Sequence, residues 1–190
     1  RYGDDNEIVQ IAVKEIAYDW DTEIVTTTDY QGEKKIKKTL EKRGPGYAED
    51  PRPWRSVDIE VYDEDGRVVI CDSYSYKGNT AEAIDELVRE EHERYDYTEG
   101  NGWEHTLQIK LYENGRLTSD CFKTYDEQRR IDYEMTQYQN GVKTTATVGD
   151  YEATMRIELW EGGPAYYMER PVTYTTTFCD ADGNATHVEY

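Results

Sequence analysis

The sequence predicts an α+β fold in which a predominantly antiparallel β-sheet, built from hairpins, carries one or two helices packed on one face. Tyr, Thr, Val and Ile recur in alternating runs, which is typical of strands, and Gly turns separate these runs. Leu, Ile, Val and Phe account for only 31 of the 190 residues, but 18 Tyr and 4 Trp supply large apolar faces instead. We therefore expect one folded β-rich domain over residues 1–190 rather than a disordered chain.

Five alternating segments are predicted to form hairpins. They span 8–30, 57–76, 107–125, 130–149 and 155–177. The strongest turn signal is Asn140-Gly141, because a type I′ turn needs residues that tolerate positive φ at both central positions. The Asp-Gly pairs at 65–66 and 182–183 are predicted to form the same turn, in preference to part of a calcium-binding loop.

Two segments are predicted to be helical. The shorter lies near 32–43, where Ile36 and Leu40 are spaced four residues apart on one face. The longer spans 80–95 and begins with Asn79 and Glu82, the spacing of a capping box. Its apolar residues fall on a single helical face. They are Ala81, Ile84, Leu87, Val88 and Tyr95.

The hairpins suggest a degenerate repeat of about 49 residues. One marker is an Ile at 11, 59, 109 and 157, and a second is a Tyr at 30, 76, 125 and 174. A true duplication would give a curved, stacked sheet with a broad exposed face. The alternative is the self-similarity of any antiparallel meander with Gly turns, and the sequence leaves both open.

No residue pattern indicates catalysis or metal binding. His92, His105 and His187 are far apart, with neither metal-ligand spacing nor a nucleophile motif beside them. The 41 acidic residues are so numerous that a carboxylate pair at glycosidase separation is expected by chance. We expect no enzyme activity, no cofactor and no resident metal.

The three cysteines leave two alternatives open. Cys71 and Cys121 each lie 12 residues after a repeat-marker Ile, which predicts equivalent places on the returning strands. Stacked units could bridge these two thiols and leave Cys179 free. The alternative is three small, buried apolar groups, the commoner state of unpaired cysteine.

Charge bears most directly on partners. The chain carries 41 acidic and 22 basic residues, a net charge of -19, which argues against a nucleic-acid partner. Its apolar runs are far shorter than the ~20 residues of a bilayer span, so we expect no membrane insertion. Residues 33–43 hold six basic side chains against two acidic ones, so charge is polarised along the chain. An acidic field of this kind favours basic protein surfaces as partners.

Two turns resemble a known hairpin motif. The stretches VYDEDGRV at 61–68 and FCDADGNATHVEY at 178–190 resemble the tyrosine-aspartate hairpin repeats of RHS-type and related bacterial secreted β-repeat proteins. The resemblance implies a structural unit without catalytic residues, a bacterial origin, and an extracellular or cell-envelope location, with the cytoplasm as the alternative. Because the chain begins at Arg1 rather than Met, we also expect that an N-terminal segment has been removed.

For function we expect a non-catalytic binding or interaction domain of a bacterial surface or secreted protein. A Tyr/Trp-rich sheet face would contact an unidentified protein or glycan partner, since these rings give contact area at little entropic cost. The alternative is an acidic inhibitor or immunity-type protein that blocks a basic site of a partner. The candidate binding residues, each of which could instead belong to the core, are Tyr74, Tyr76, Tyr125, Tyr174, Trp54, Trp103 and Trp160.

Overall fold

A computed structural model describes residues 11–46, 51–78, 84–97, 104–126, 129–158 and 165–190. In these ranges the protein is all-β, with twelve strands, every described pairing antiparallel, and no helix. The predicted α+β class is therefore wrong, whereas the antiparallel hairpins are confirmed. The described part of the chain accordingly holds no helix that could cross a bilayer. The chain divides into two compact units, residues 1–94 and 95–190.

The first unit is a meander in which each strand pairs with its neighbours in sequence. Its strands are β1 (Ile11–Asp19), β2 (Thr22–Gln31), β3 (Lys34–Gly44), β4 (Trp54–Tyr62), β5 (Val68–Lys77) and β6 (Glu86–Asp96), the last two residues of which fall in the second unit. Such an order needs only short connections, and Gly or Pro residues occur in each of those of the first unit except the turn at Trp20-Asp21.

The second unit repeats this pattern of sequential antiparallel pairing. Its strands are β7 (Glu104–Glu113), β8 (Arg116–Asp126), β9 (Arg129–Gln139), β10 (Val142–Glu158), β11 (Ala165–Cys179) and β12 (Ala185–Glu189). The predicted turn at Asn140-Gly141 is confirmed, because φ is 54° at Asn140 and 82° at Gly141.

The predicted helix near 32–43 is strand β3. Its basic residues lie between the acidic strands β2 and β4, where Lys37 is opposite Asp29 and Lys38 is opposite Glu60. The Lys38 Nζ and Glu60 Oε2 atoms are 3.7 Å apart. Cross-strand pairs of opposite charge favour the strand, whereas a helix would forgo them.

The predicted helix at 80–95 is also wrong where the structure describes it, because Glu86–Asp96 forms β6. Residues 79–83, which include the predicted capping box, lie outside the described residues. Pairing with β5 brings both His92 and Arg94 to Asp72. The Asp72 Oδ1 atom lies 2.9 Å from His92 Nδ1 and 2.6 Å from Arg94 Nη1. Helix propensities differ by less than about 1 kcal/mol per residue, so these contacts and the strand ladder override them.

The two Asp-Gly turns differ from the predicted type I′ geometry. In the turn after β4 only Gly66 has positive φ, 81°, which matches a type I turn followed by a left-handed Gly. The Asp63 carboxylate accepts hydrogen bonds from the backbone amides of Asp65 and Arg67, at 3.0 and 2.9 Å. Asp180 accepts the equivalent bonds from Asp182 and Asn184. The Asp side chain, rather than a second positive φ, therefore closes the turn.

Very little of the described chain is buried. Ile84, at 8% exposure, is the one buried hydrophobic side chain among the described residues. Most strand residues are half-buried, and every residue of β1 is exposed. The aromatic-rich composition therefore covers half-exposed sheet surface rather than filling an enclosed core.

The cysteine register prediction is wrong. Cys121 lies opposite Ile109, but Cys71 lies opposite Glu60, one residue out of step with Ile59. A one-residue offset places a side chain on the other face, and it arises here because the loop after β4 is longer than the two-residue turn after β7. All three cysteines are half-buried and lie outside any disulfide. Burial first, followed by neighbouring carboxylates, raises the pKa of Cys71 to about 11.

A charge swap tests the strand assignment of β3. Lys38→Glu places a carboxylate opposite Glu60, and we expect it to lower the free energy of unfolding by about 0.5 to 1 kcal/mol. The double variant Lys38→Glu with Glu60→Lys should recover most of the loss, as measured by urea denaturation. If the loss of unfolding free energy in the double variant equalled the sum of the losses in the two single variants, the pairing would be contradicted.

A turn substitution tests the loop after β4. Gly66→Ala should lower the free energy of unfolding by about 1 kcal/mol, because a Cβ is disfavoured at a φ of 81°. Gly66→Asn is the matched control and should cost less, since Asn tolerates left-handed backbone better than Ala. Denaturant titration of the two variants would refute this geometry if Ala were tolerated as well as Asn.

Candidate functional site

The most open aromatic surface of the first unit lies beside the turn between β1 and β2. A cleft of about 410 Å³ opens there, and we call it the aromatic cleft. The residues that form it include Tyr18, Trp20, Glu23, Arg43, Pro53 and Ile84. Its volume falls within the range of small-ligand sites, and it combines apolar rings with a few charged groups, as such sites do.

Trp20 is 97% exposed at the mouth of this cleft. It is the first residue of a two-residue turn, and its φ is 53°, whereas Asp21 does not share the positive φ. This is the φ pattern of a type II′ turn, whose first position favours Gly. The next turn along the chain follows that rule, with Gly32 at a φ of 61°.

Strand pairing aligns the charged wall of the cleft. Tyr18 lies opposite Glu23, and Glu23 lies opposite Arg43, so the three side chains share one face of the sheet. Tyr18 is 72% exposed, and its hydroxyl lies 3.5 Å from the Glu23 carboxylate. The aromatic cleft therefore has a ring and a carboxylate in contact at its edge.

The Arg43 guanidinium is held by two carboxylates. Its Nη2 donates to Glu41 Oε1 at 2.6 Å, and its Nε lies 3.7 Å from Glu23 Oε2. The pKa of Arg43 is raised, chiefly by its hydrogen bond with Glu41. Partial burial acts in the opposite direction, and the negative charges of Glu41 and Glu23 add to the rise. Arg43 thus fixes the two carboxylates in place, and the cleft carries no excess positive charge.

Two predicted binding residues, Tyr74 and Tyr76, lie half-buried on this same face. The Arg55 guanidinium carbon sits 4.4 Å from the Tyr76 ring centroid, a cation–π contact. The Tyr74 ring meets the His92 ring edge to face at 5.8 Å. These rings pack against their own strands, so they are less accessible than Tyr18 and Trp20.

Trp54, another predicted binding residue, projects from the opposite face of the first unit. It alternates with Arg55 on β4 and packs against Gly44, where an added Cβ would meet the indole Nε1 at 3.0 Å. Trp103 and Trp160 lie outside the described residues. The structure therefore does not gather the predicted residues into one site.

In the second unit, Tyr125 belongs to a stack of rings across adjacent strands. Its centroid lies 5.1 Å from that of His105, which stacks on Tyr95 at 4.4 Å, and Tyr95 in turn faces Tyr97 at 6.3 Å. Tyr174, on β11, is 48% exposed and lies opposite Gly149. Of the five predicted rings that the structure describes, four are half-buried and Tyr174 is exposed.

His92 occupies a small polar cluster on the first unit. Its Nδ1 lies 2.9 Å from Asp72 and its Nε2 3.5 Å from Glu90. Burial opposes ionisation of Asp72, but hydrogen bonds from Arg94 and His92 outweigh it and hold the pKa of this carboxyl below its usual range. Among the described residues, no group of His, Cys, Asp and Glu side chains is arranged to hold a metal ion.

Sequence reasoning missed Tyr18 and Trp20, the two most exposed rings of the cleft. The available signal was the stretch YDWDT at 18–22, a turn between alternating strands that contains neither Gly nor Asn. A bulky residue in such a turn is unusual, because turns favour Gly, Asn and Asp. Composition alone could not distinguish this Trp from the other three.

The low pKa of Asp72 predicts a pH dependence of stability. A carboxyl whose pKa is lowered by folding contributes stability above its unfolded value, near 4, and loses it as the pH falls through the folded value. At pH 7, Asp72→Asn should reduce the free energy of unfolding by about 1 kcal/mol. The difference should shrink between pH 5 and pH 2 in thermal unfolding. A gap that stays constant over this range would contradict the ion pair with Arg94 and the hydrogen bond with His92.

The comparisons with known proteins identify no relative. No protein-family model matches the chain, and neither a curated protein nor a solved structure matches it significantly. The case for a function therefore rests on the residues described above.

Proposed function

We propose that this protein is a non-catalytic binding module and that the aromatic cleft is its ligand-contacting surface. The observation that carries the proposal is Trp20, which is 97% exposed at a turn position where the next turn has Gly32. A bulky side chain at positive φ costs free energy, about 1 kcal/mol or more, without any compensating burial. A residue that lowers stability and packs against little of its own chain is best explained by contact with a ligand.

The chemistry of the cleft narrows the kind of ligand. Tyr18 and Trp20 offer flat apolar surface, Pro53 and Ile84 extend it, and Asp21 and Glu23 offer hydrogen-bond acceptors. This combination suits a sugar ring, which has an apolar face and hydroxyl donors, or a side chain of a partner protein. Negative charge at the mouth disfavours an acidic group in this cleft.

We also propose an extracellular or cell-envelope setting for this module. The support is the resemblance of the turns at 61–68 and 178–190 to those of secreted bacterial β-repeat proteins. The identical hydrogen bonds of Asp63 and Asp180 give that shared motif a physical reason, because both carboxylates close the turn in the same way.

A second candidate function, inhibition of a partner with a basic site, is favoured by one acidic area of the first unit. Asp58 and Glu91 flank Ser73, and Glu60 and Glu93 flank Cys71, so four carboxylates share one face. Three of them, Glu93, Glu60 and Asp58, act after burial itself to raise the pKa of Cys71. Such a surface would meet Lys or Arg side chains of a partner.

Salt concentration separates the two candidates. Binding through carboxylates should weaken steeply as ionic strength rises, because exposed charges are screened within about 10 Å at 0.1 M salt. Binding through the rings of the aromatic cleft should change little, since contact with apolar surface carries no net charge. Affinity measured at low and high salt therefore assigns the partner to one surface or the other.

Substitution of Trp20 tests the proposed function. Trp20→Gly should weaken binding to a ligand found by glycan array or pulldown by tenfold or more, as for exposed Trp residues that anchor interfaces. The same change should raise the free energy of unfolding by about 1 kcal/mol, because Gly suits the positive φ. Glu33→Gly, in the second position of the next turn, is the matched control and should leave binding intact. Unchanged affinity in Trp20→Gly would refute the role of the cleft.

A further inference from the structure

The turn between β11 and β12 carries the acceptor sequence for attachment of a glycan to asparagine. Asn184-Ala185-Thr186 fits the pattern Asn-x-Thr in which x is not Pro. Of the six Asn residues in the chain, Asn184 is the one with Ser or Thr two residues later. Bacterial oligosaccharyltransferases also select for an acidic residue two positions before the Asn, and Asp182 occupies that position. The match therefore extends over residues 182–186.

A glycan acceptor has to lie on the surface, and the structure places Asn184 there. Asp182 and Asn184 are exposed, and so is every residue of β12. In the described part of the chain β12 pairs with β11 alone, through four pairs of opposed residues. A short pairing of this kind opens locally at little cost in free energy, so the segment can enter the active site of a transferase in extended form.

The turn does not need the Asn184 side chain for its closure. The Asp180 carboxylate accepts hydrogen bonds from the backbone amides of Asp182 and Asn184, at 3.0 and 2.9 Å. The Asp180 amide donates to the Asn184 carbonyl at 2.9 Å. By contrast, the Asn184 Nδ2 atom lies 3.4 and 3.5 Å from the two Asp180 carboxylate oxygens, at the limit of hydrogen bonding. A sugar attached to Nδ2 would therefore leave the backbone bonds of the turn intact.

The turn after β4 has equivalent backbone bonds but a different side chain at this place. Arg67 is the counterpart of Asn184 there. The Arg67 Nε and Nη2 atoms pair with Asp63 and Asp65, at 2.8 and 3.0 Å. The uncharged Asn184 amide cannot form such ion pairs with its own turn. Turn geometry alone therefore does not account for the presence of this Asn.

Thr186 has a role in the fold as well as in the acceptor sequence. It is the extra residue of a β-bulge and has no opposed residue in β11. Its hydroxyl donates to the Phe178 carbonyl at 3.1 Å and lies 3.3 Å from His187 Nδ1, and Thr118 makes an equivalent bond to a carbonyl in its own hairpin. The counterpart of Thr186 in the turn after β4 is Val69, which has no hydroxyl. The hydroxyl therefore supports the bulge without being required for it.

We propose that Asn184 is an N-glycosylation site, modified by an oligosaccharyltransferase that uses a lipid-linked oligosaccharide diphosphate as donor. The Asn184 Nδ2 atom would form a bond to the anomeric carbon of the first sugar, and the bond from that carbon to the diphosphate oxygen would break. The lipid diphosphate would leave with the electron pair, and the amide proton would pass to a base of the transferase. The proposal rests on the extracellular or cell-envelope setting proposed above, because this modification belongs to exported chains.

Incubation of the purified, folded chain with a purified bacterial oligosaccharyltransferase and its lipid-linked oligosaccharide tests the proposal. We expect the intact mass to rise by one glycan, and peptide mapping should locate the glycan within residues 178–190. Asn184→Gln should abolish the modification. Asn114 and Asn140 are internal controls, because they are exposed in turns but have no Ser or Thr two residues later. Both should stay unmodified.

A matched pair of variants at Thr186 separates recognition by the transferase from effects on folding. Thr186→Ser keeps the acceptor sequence and should remain modified, whereas Thr186→Val should lose the modification, as should Asp182→Asn. Thermal unfolding shows that each variant is folded before the assay. An unmodified parent chain, or equal modification of Thr186→Ser and Thr186→Val, would overturn the proposal. Because the assay supplies the transferase, its failure is distinguishable from failure of the proposed setting, which depends on where the native chain is located.

Discussion

Pairing between neighbouring strands is the interaction on which every described feature of this protein depends. Ile84 is the one buried hydrophobic residue among the side chains whose burial the structure describes, so the stability of this part of the chain does not come mainly from an enclosed core. It comes instead from backbone ladders and from side-chain pairs across them, such as Lys38 with Glu60 and Arg94 with Asp72. The same pairing sets the functional surfaces, because register decides which residues share a face. The row of Lys42, Ser56, Ser75 and Arg89 exists only through three successive strand pairings.

The sheet of the first unit presents different chemistry on its two sides. Tyr18, Glu23 and Arg43 lie on one face, and Ser56, Ser75 and Lys77 lie on the other. Strand alternation separates Trp54 from Arg55, so adjacent residues of β4 serve different surfaces.

The parts of the fold that were predictable from the sequence are those with local causes. Asn140-Gly141 dictates its own turn, and alternation dictates strands such as β4 and β7. The segments 32–43 and 80–95 look helical by themselves, and only the partners across the sheet make them strands. The candidate site was predictable in kind, as exposed aromatic surface, but not in place. Trp20 owes its exposure to a turn, and composition does not reveal this.

The sequential order of strands within each unit has a consequence for how the molecule loses structure. Since a strand touches only the strands next to it in the chain, its protection depends on those two neighbours rather than on the whole unit. An outermost strand such as β1, exposed along its entire length, can detach while the inner ladder of β3 and β4 persists. Amide exchange should therefore be graded from strand to strand, and Trp20 stands at the end of β1, an outer strand among those described in the first unit. A ligand bound to the Trp20 ring would therefore also restrain this edge of the sheet.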